Sequence, residues 1–165
     1  MVSTFATDNA DDIIELNDGK GATVGELSLK YRPYMKEFLD DMSTKFELIL
    51  YSTFSKQYVK ALVEHIEKDK KYFSYCFHDE FCLFANISCG IKCTDFLYGN
   101  RKLSDIILLD NSVKVFPFSP DNFVPISPFT GEDPKDIELV KLSAFLEKLA
   151  KEKDVPSAIR IFREK

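Results

Sequence analysis

Branched and aromatic side chains arrive in short blocks along this chain, and the spacing inside each block predicts an element. Ile13, Ile14 and Leu16, then Asn17-Asp18-Gly19, then Val24 to Leu29 read as a hairpin. Pro33 opens a helix, because the first turn tolerates a missing N–H. Met35, Phe38, Leu39 and Met42 follow at helical spacing and make one apolar stripe. Phe46-Glu47-Leu48-Ile49-Leu50-Tyr51 reads as a buried strand. Ser52-Thr53-Phe54-Ser55 comes next, and Tyr58, Val59, Leu62, Val63 and Ile66 then form a second helical stripe. Residues 72–98 are rich in Phe, Tyr and Cys without a long period, and read as short strands or loops. Ile106-Ile107-Leu108-Leu109 is a continuous apolar run, the pattern of a strand buried on both faces. Asn122 to Ile126 reads as a loop and short strand, and Gly131-Glu132-Asp133-Pro134 as a turn. Ile137, Leu139, Val140, Leu142, Phe145, Leu146 and Leu149 predict an amphipathic helix, and residues 154–165 a short closing one. Strands alternating with helices imply an α/β fold with a parallel sheet and right-handed crossovers.

In open α/β sheets, ligands sit beyond the carboxyl ends of the strands. Two such ends carry polar side chains. Asp110 and Asn111 follow the 106–109 run, and their oxygens suit a hard cation such as Mg²⁺. Asp110 equally suits the cap of a turn. Ser52 follows the 46–51 strand at the mouth of a helix, where hydroxyls and free N–H groups suit a phosphate. The alternative is that Ser52 or Ser55 caps that helix. Lys92 lies between Ile91 and Cys93, either as a phosphate-binding charge or as a surface lysine.

Composition narrows the choice. The 165 residues suit one domain, spanning 1–165. Fifteen Phe, seven Tyr and no Trp predict an aromatic core. A net charge of −5 argues against a nucleic-acid-binding face. No apolar run approaches the roughly 20 residues of a membrane span, so no membrane partner is expected. The start has no basic segment and no long apolar one, so it is not read as a signal peptide. Cys76, Cys82, Cys89 and Cys93 share a segment with His78. Without a secretion signal they are expected to be reduced, and their spacing is looser than the pairs of structural zinc sites. Free thiols are therefore expected, with zinc as the alternative. Gly-x-Gly-x-x-Gly, P-loop and Ser-His-Asp signatures are absent.

The order of these blocks resembles one family. Lys30-Tyr31-Arg32-Pro33 with Glu37-Phe38-Leu39, then Glu47 to Ser52, carry the first part of the resemblance. Gly90-Ile91-Lys92, Asn100-Arg101-Lys102-Leu103 and Ile106 to Ser112 carry the second. Asn122 to Ile126, Asp136 to Leu139, Phe145-Leu146-Glu147 and Asp154-Val155 continue it. The succession resembles the NLI-interacting-factor-like family, which includes the small phosphatases of the RNA polymerase II C-terminal domain and belongs to the haloacid dehalogenase superfamily. It covers roughly residues 28–160, leaving 1–27 as an N-terminal remnant or hairpin. The resemblance implies a Rossmann-like haloacid dehalogenase fold with a parallel central sheet. It implies Mg²⁺-dependent removal of phosphate from Ser or Thr of a phosphoprotein or peptide. In the family an aspartate of an Asp-x-Asp-x-Thr motif is the nucleophile and forms an aspartyl-phosphate. A hydroxyl after the next strand and a lysine hold the phosphate, and an acid–amide pair helps hold the metal. Carried over, these are Ser52, Lys92, and Asp110 with Asn111.

The first motif is missing: no Asp-x-Asp-x-Thr occurs anywhere in the chain. Either the nucleophile strand is truncated away, the favoured expectation, or Ser3 to Asp12 is a decayed first motif with Ala6 or Asp8 at the carboxylate position. The arginine that relatives carry near Cys82 is absent from Asp79-Glu80-Phe81-Cys82, and Cys93-Thr94 replaces the usual Asp-Leu. A charged Asp79 repels phosphate. The expectation is a phosphatase-like domain that is inactive as given, with weak or absent Mg²⁺ binding, in the nucleus or cytoplasm. The alternative is a non-catalytic phosphopeptide- or protein-binding module, including a Tim-fifty-like peptide receptor. The family's first strand lies between those that here are 46–51 and 106–109. Its slot is expected to be filled by Val2 to Thr7, by collapse of the flanking strands, or by a second copy in a strand-swapped dimer.

Overall fold

The computed structural model describes residues 2–3, 9–86, 89–97, 99 and 101–163. The chain divides into two compact units, Met1–Glu80 with Phe129–Val140, and Phe81–Pro128 with Lys141–Lys165.

The first unit is built on a hairpin. A short β1 (Val2–Ser3) and β2 (Asp12–Asn17) flank β3 (Thr23–Tyr31), both antiparallel to it. The turn runs from Asp18 to Ala22 and is held by the Asp18 carboxylate, which accepts from the N–H groups of Lys20 and Ala22. Gly19 and Gly21 sit at φ 79° and 95°, a region open to glycine at little cost. Alternation sorts the strands: Ile14 and Leu29 are buried, Ile13 and Val24 face solvent. The hairpin is tied to α2 (Lys56–Ile66), where His65 Nε2 lies 3.1 Å from Asp12 Oδ2 and its ring stacks on Tyr31. That contact, with a hydrogen bond from Tyr31, holds the Asp12 carboxyl below the usual range. Burial and the same carboxylate push the Tyr31 phenol up.

The helix expected after Pro33 is α1 (Met35–Met42), with Phe38, Leu39 and Met42 buried. It starts two residues past the proline, because Tyr34 adopts a left-handed conformation at φ 64°. Strand β4 (Leu48–Tyr51), helix α2 and strand β5 (Phe73–Phe77) form a parallel crossover, with Leu50 opposite Cys76 and Tyr51 opposite Phe77. Every residue of β4 is half-buried, not fully buried as its composition predicts. The reason lies in pairing. Among the described residues β4 pairs with β5 alone. Val2 and Ser3 pair instead with Tyr31 and Lys30, so these two residues extend the hairpin and do not fill a slot beside β4. Ala6 and Asp8, the positions of a decayed motif, lie outside the described residues.

One buried ion pair fastens the 129–140 stretch to this unit. Arg32, 2 % exposed, donates from Nε at 3.0 Å and from Nη2 at 2.7 Å to Asp136 Oδ2. Its guanidinium also lies 5.5 Å over the Phe129 ring. The second carboxylate oxygen of Asp136 accepts from the N–H of Glu138.

The second unit contains an antiparallel pair, β6 (Cys82–Asn86) and β7 (Cys89–Lys92), with Cys82 opposite Lys92. It also contains a parallel pair, β8 (Leu108–Asp110) and β9 (Phe123–Pro125), with Leu108 opposite Phe123 and Asp110 opposite Pro125. Leu108, Val115, Phe116 and Phe123 form its core. Strand β8 begins two residues later than the apolar run, because a single 3₁₀ turn at Leu103–Asp105 feeds it. Helix α3 (Glu138–Leu149) buries Leu139, Leu142, Leu146 and Leu149, whereas Val140 is exposed. Helix α4 (Val155–Arg163) buries Val155, Ala158 and Ile159. Among the described residues parallel pairing occurs as two two-stranded ladders, and no helix is long and apolar enough to cross a membrane.

Candidate functional site

Two candidates that the sequence treats separately meet in the second unit. Lys92 ends β7 and Asp110 ends β8. Lys92 Nζ donates to Asp110 Oδ2 at 2.6 Å, with side chains only 9 % and 14 % exposed. The ammonium also lies 5.4 Å from the centre of the Phe116 ring, within cation–π range. Lys92 is thus a buried, charge-paired residue and not a surface lysine. Asp110 also takes the turn-capping role: its Oδ1 accepts from the Ser112 N–H at 3.0 Å. Its backbone carbonyl accepts from Ile126, which extends the pairing with β9. A short N⁺–H···O⁻ bond of this kind is charge-assisted and roughly twice as strong as a neutral one.

Asn111 follows on the exposed side of the turn. The donor set at this strand end is therefore one carboxylate, with both oxygens engaged, and one exposed amide. Mg²⁺ demands near-octahedral oxygen ligation with one or two carboxylates. Among the described residues, no three His, Cys, Asp or Glu side chains cluster. Lys92 donates to one of the two Asp110 oxygens, and the oxygens of Asp110 and Asn111 are the groups at this strand end that would hold a Mg²⁺ ion.

Ser52 lies in the first unit, directly after β4. Its N–H donates to the Phe77 carbonyl at 3.0 Å, and its Oγ accepts from the Phe54 N–H at 3.1 Å. The helix cap is Ser55, whose Oγ accepts from the Tyr58 N–H at 3.4 Å. Of the two serines, Ser55 takes the structural role at α2, and Ser52 holds the turn between β4 and that helix. The same turn is pinned by the Asp79 N–H, which donates to the Phe54 carbonyl. Asp79 Oδ1 lies 3.3 Å from Nδ1 of the buried His78.

The cysteines form no metal centre among the described residues. Cys76, Cys82 and Cys93 are in no disulfide, and the side chain of Cys89 lies outside the description. Burial pushes the Cys76 thiol up, away from the thiolate that metals bind. Of these three, Cys82 alone is buried.

Sequence reasoning missed Phe116, whose ring faces the ammonium, and Ser112, whose N–H completes the Asp110 turn. It also missed a cleft of about 720 Å³ in the first unit, lined by Asp11, Lys30, Tyr31, Phe129 and Asp133 among others. Nothing in the local pattern marks residues that meet only through tertiary packing.

Residues 1–156 match the family of NLI interacting factor-like phosphatases. CTD small phosphatase-like protein 2 of Dictyostelium discoideum is 33 % identical over 131 residues, 79 % of this chain and 22 % of that protein. The human CTD small phosphatase-like protein is 31 % identical over 152 residues, 92 % of this chain and 52 % of that protein. The chain thus spans about half or less of these relatives. In three dimensions it resembles Fcp1, an essential RNA polymerase II CTD phosphatase, with a TM-score of 0.65 at 16 % identity, covering 90 % of this chain and 52 % of that one. That likeness establishes the α/β fold of the haloacid dehalogenase type.

Proposed function

The chain belongs to the NLI interacting factor-like phosphatase family, and we propose that its 165 residues form a phosphoserine- or phosphothreonine-recognising domain without covalent phosphoryl transfer of their own. The Lys92–Asp110 pair carries this reading. The pair is a buried cation at a strand end, set against a carboxylate and an aromatic ring. A phosphate dianion competes with Asp110 for that ammonium and is the stronger acceptor, because it brings more charge and three oxygens.

The second half of the proposal rests on residue content. The family's chemistry begins with an aspartate nucleophile, and these 165 residues hold no Asp-x-Asp-x-Thr. The Lys92 ammonium and the Ser112 N–H both draw charge from the Asp110 carboxylate, which weakens it as a substitute nucleophile. The family is generally Mg²⁺-dependent. With Oδ2 of Asp110 already held by Lys92, weak or absent Mg²⁺ binding belongs to the same proposal.

The test is fluorescence anisotropy with a short phosphoserine peptide and its unphosphorylated twin. The expected result is tighter binding of the phosphorylated form by about tenfold, in line with one charge-assisted contact. Lys92→Met is expected to erase the difference. Equal affinity of the wild-type protein for both peptides overturns the proposal.

A further inference from the structure

Asn122 is 1 % exposed, the most deeply buried polar side chain among the described residues. It sits immediately before β9, at the end of a short 3₁₀ turn over Pro120–Asn122. Its carboxamide nitrogen donates two hydrogen bonds, to the carbonyl of Leu103 at 2.7 Å and to the carbonyl of Ile106 at 2.8 Å. Those carbonyls bracket the turn that feeds β8, and the Ile106 N–H closes that turn onto Leu103. Four residues beyond Ile106 stands Asp110. On the other side of Asn122, Arg163 of α4 donates to the carbonyls of Pro120 and Phe123.

We propose that Asn122 is a positioning residue for the Lys92–Asp110 pair. Both protons of its NH₂ group go to the backbone that enters β8, so one side chain fixes where that strand starts. The β8–β9 register, Leu108 to Phe123 and Asp110 to Pro125, then follows from a fixed start. A three-residue strand has little ladder of its own to hold register, so an external anchor decides where its last residue falls. The Lys92 contact is 2.6 Å long and tolerates little displacement of Asp110. Only an amide suits the position: two carbonyls need two donors from one short side chain. Aspartate is isosteric but offers acceptors to acceptors, and leucine matches the volume but leaves both carbonyls unsatisfied.

Lys92 reports on its own pairing. An amine held against Asp110 is protected from reductive methylation by formaldehyde and cyanoborohydride, whereas Lys36 and Lys60, 72 % and 69 % exposed, serve as internal references. Peptide mass spectrometry gives the ratio of Lys92 to Lys36 modification in the folded protein. Asn122→Asp is expected to raise that ratio by about tenfold, the scale of losing two buried hydrogen bonds at one strand entry. Leu149→Ala, which opens a cavity in α3, lowers the thermal midpoint while leaving the Asn122 amide and the two carbonyls it bonds chemically intact. It is expected to leave the ratio within about twofold of wild type. If Asn122→Asp shows no cooperative melting, Arg163→Gln loosens the same turn from its other side and is expected to raise the ratio less strongly. A ratio that stays at the Leu149→Ala level in the folded Asn122→Asp or Arg163→Gln protein overturns the proposal. The consequence for ligand binding rests on the function proposed above. The methylation ratio does not, so a phosphopeptide that fails to bind wild type refutes that function and leaves the role of Asn122 to be decided by the ratio.

Discussion

Asp136→Ala is expected to lower the unfolding free energy by about 3–5 kcal/mol, read as a fall in the urea midpoint at unchanged slope. The size follows from what the substitution leaves behind. Arg32 is 2 % exposed, and both its Nε and Nη2 are spent on Asp136 Oδ2. Removing the carboxylate takes the acceptor of two N–H groups away from a buried guanidinium that is never neutral. The Glu138 N–H at the start of α3 loses its acceptor at the same time. Arg32→Met is expected to cost less, because methionine fills part of the volume and leaves a carboxylate that is 13 % exposed and still bonded to Glu138. A midpoint for Asp136→Ala within about 0.5 kcal/mol of wild type, the range of surface substitutions, contradicts the assignment of this pair as the fastener of the 129–140 stretch.

The same asymmetry governs Lys92 and Asp110. Asp110→Ala takes the carboxylate from an ammonium that is 9 % exposed and faces an aromatic ring, so a loss of about 3 kcal/mol or more is expected. Lys92→Met removes the ammonium and leaves Asp110 bonded to the Ser112 N–H. Its cost is expected to be smaller than that of Asp110→Ala, because the carboxylate left behind is the more exposed partner and keeps the Ser112 N–H. Urea unfolding of the two variants side by side checks the order. Lys92→Met proving the less stable of the two is the contrary result. The order also matters for function, because Lys92→Met then removes the phosphate contact while preserving a folded protein.

Local periodicity carried the fold a long way. The hairpin at Asp12–Tyr31, α1, α2, α3 and α4 all follow apolar spacings or turn residues that stand within a few positions of one another. Where the sequence misled, a non-local neighbour was the cause. Leu48 to Tyr51 read as fully buried because their composition is that of an inner strand, and burial depends on neighbours that the strand itself does not encode. Val140 belongs to the apolar spacing of α3, yet only one stripe of that helix is covered. The turn after β4 carries two serines, and the sequence left open which of them caps the helix. It is Ser55, three residues ahead of the N–H it accepts from. The candidate residues stood out in the sequence, and their geometry did not. Lys92 and Asp110 each stood out, but 18 residues separate them, and no spacing rule says that they touch. Arg32 and Asp136, 104 residues apart, were further out of reach.

Phosphorus NMR of a phosphoserine peptide mixed with the protein and Mg²⁺ tests the central claim most directly, because one spectrum reports both binding and turnover. Recognition without covalent transfer predicts that the phosphoserine resonance shifts or broadens as protein is added, that Lys92→Met abolishes the change, and that no inorganic phosphate resonance grows. An inorganic phosphate resonance that grows with time, and that Asp110→Ala removes from an otherwise folded preparation, contradicts the account.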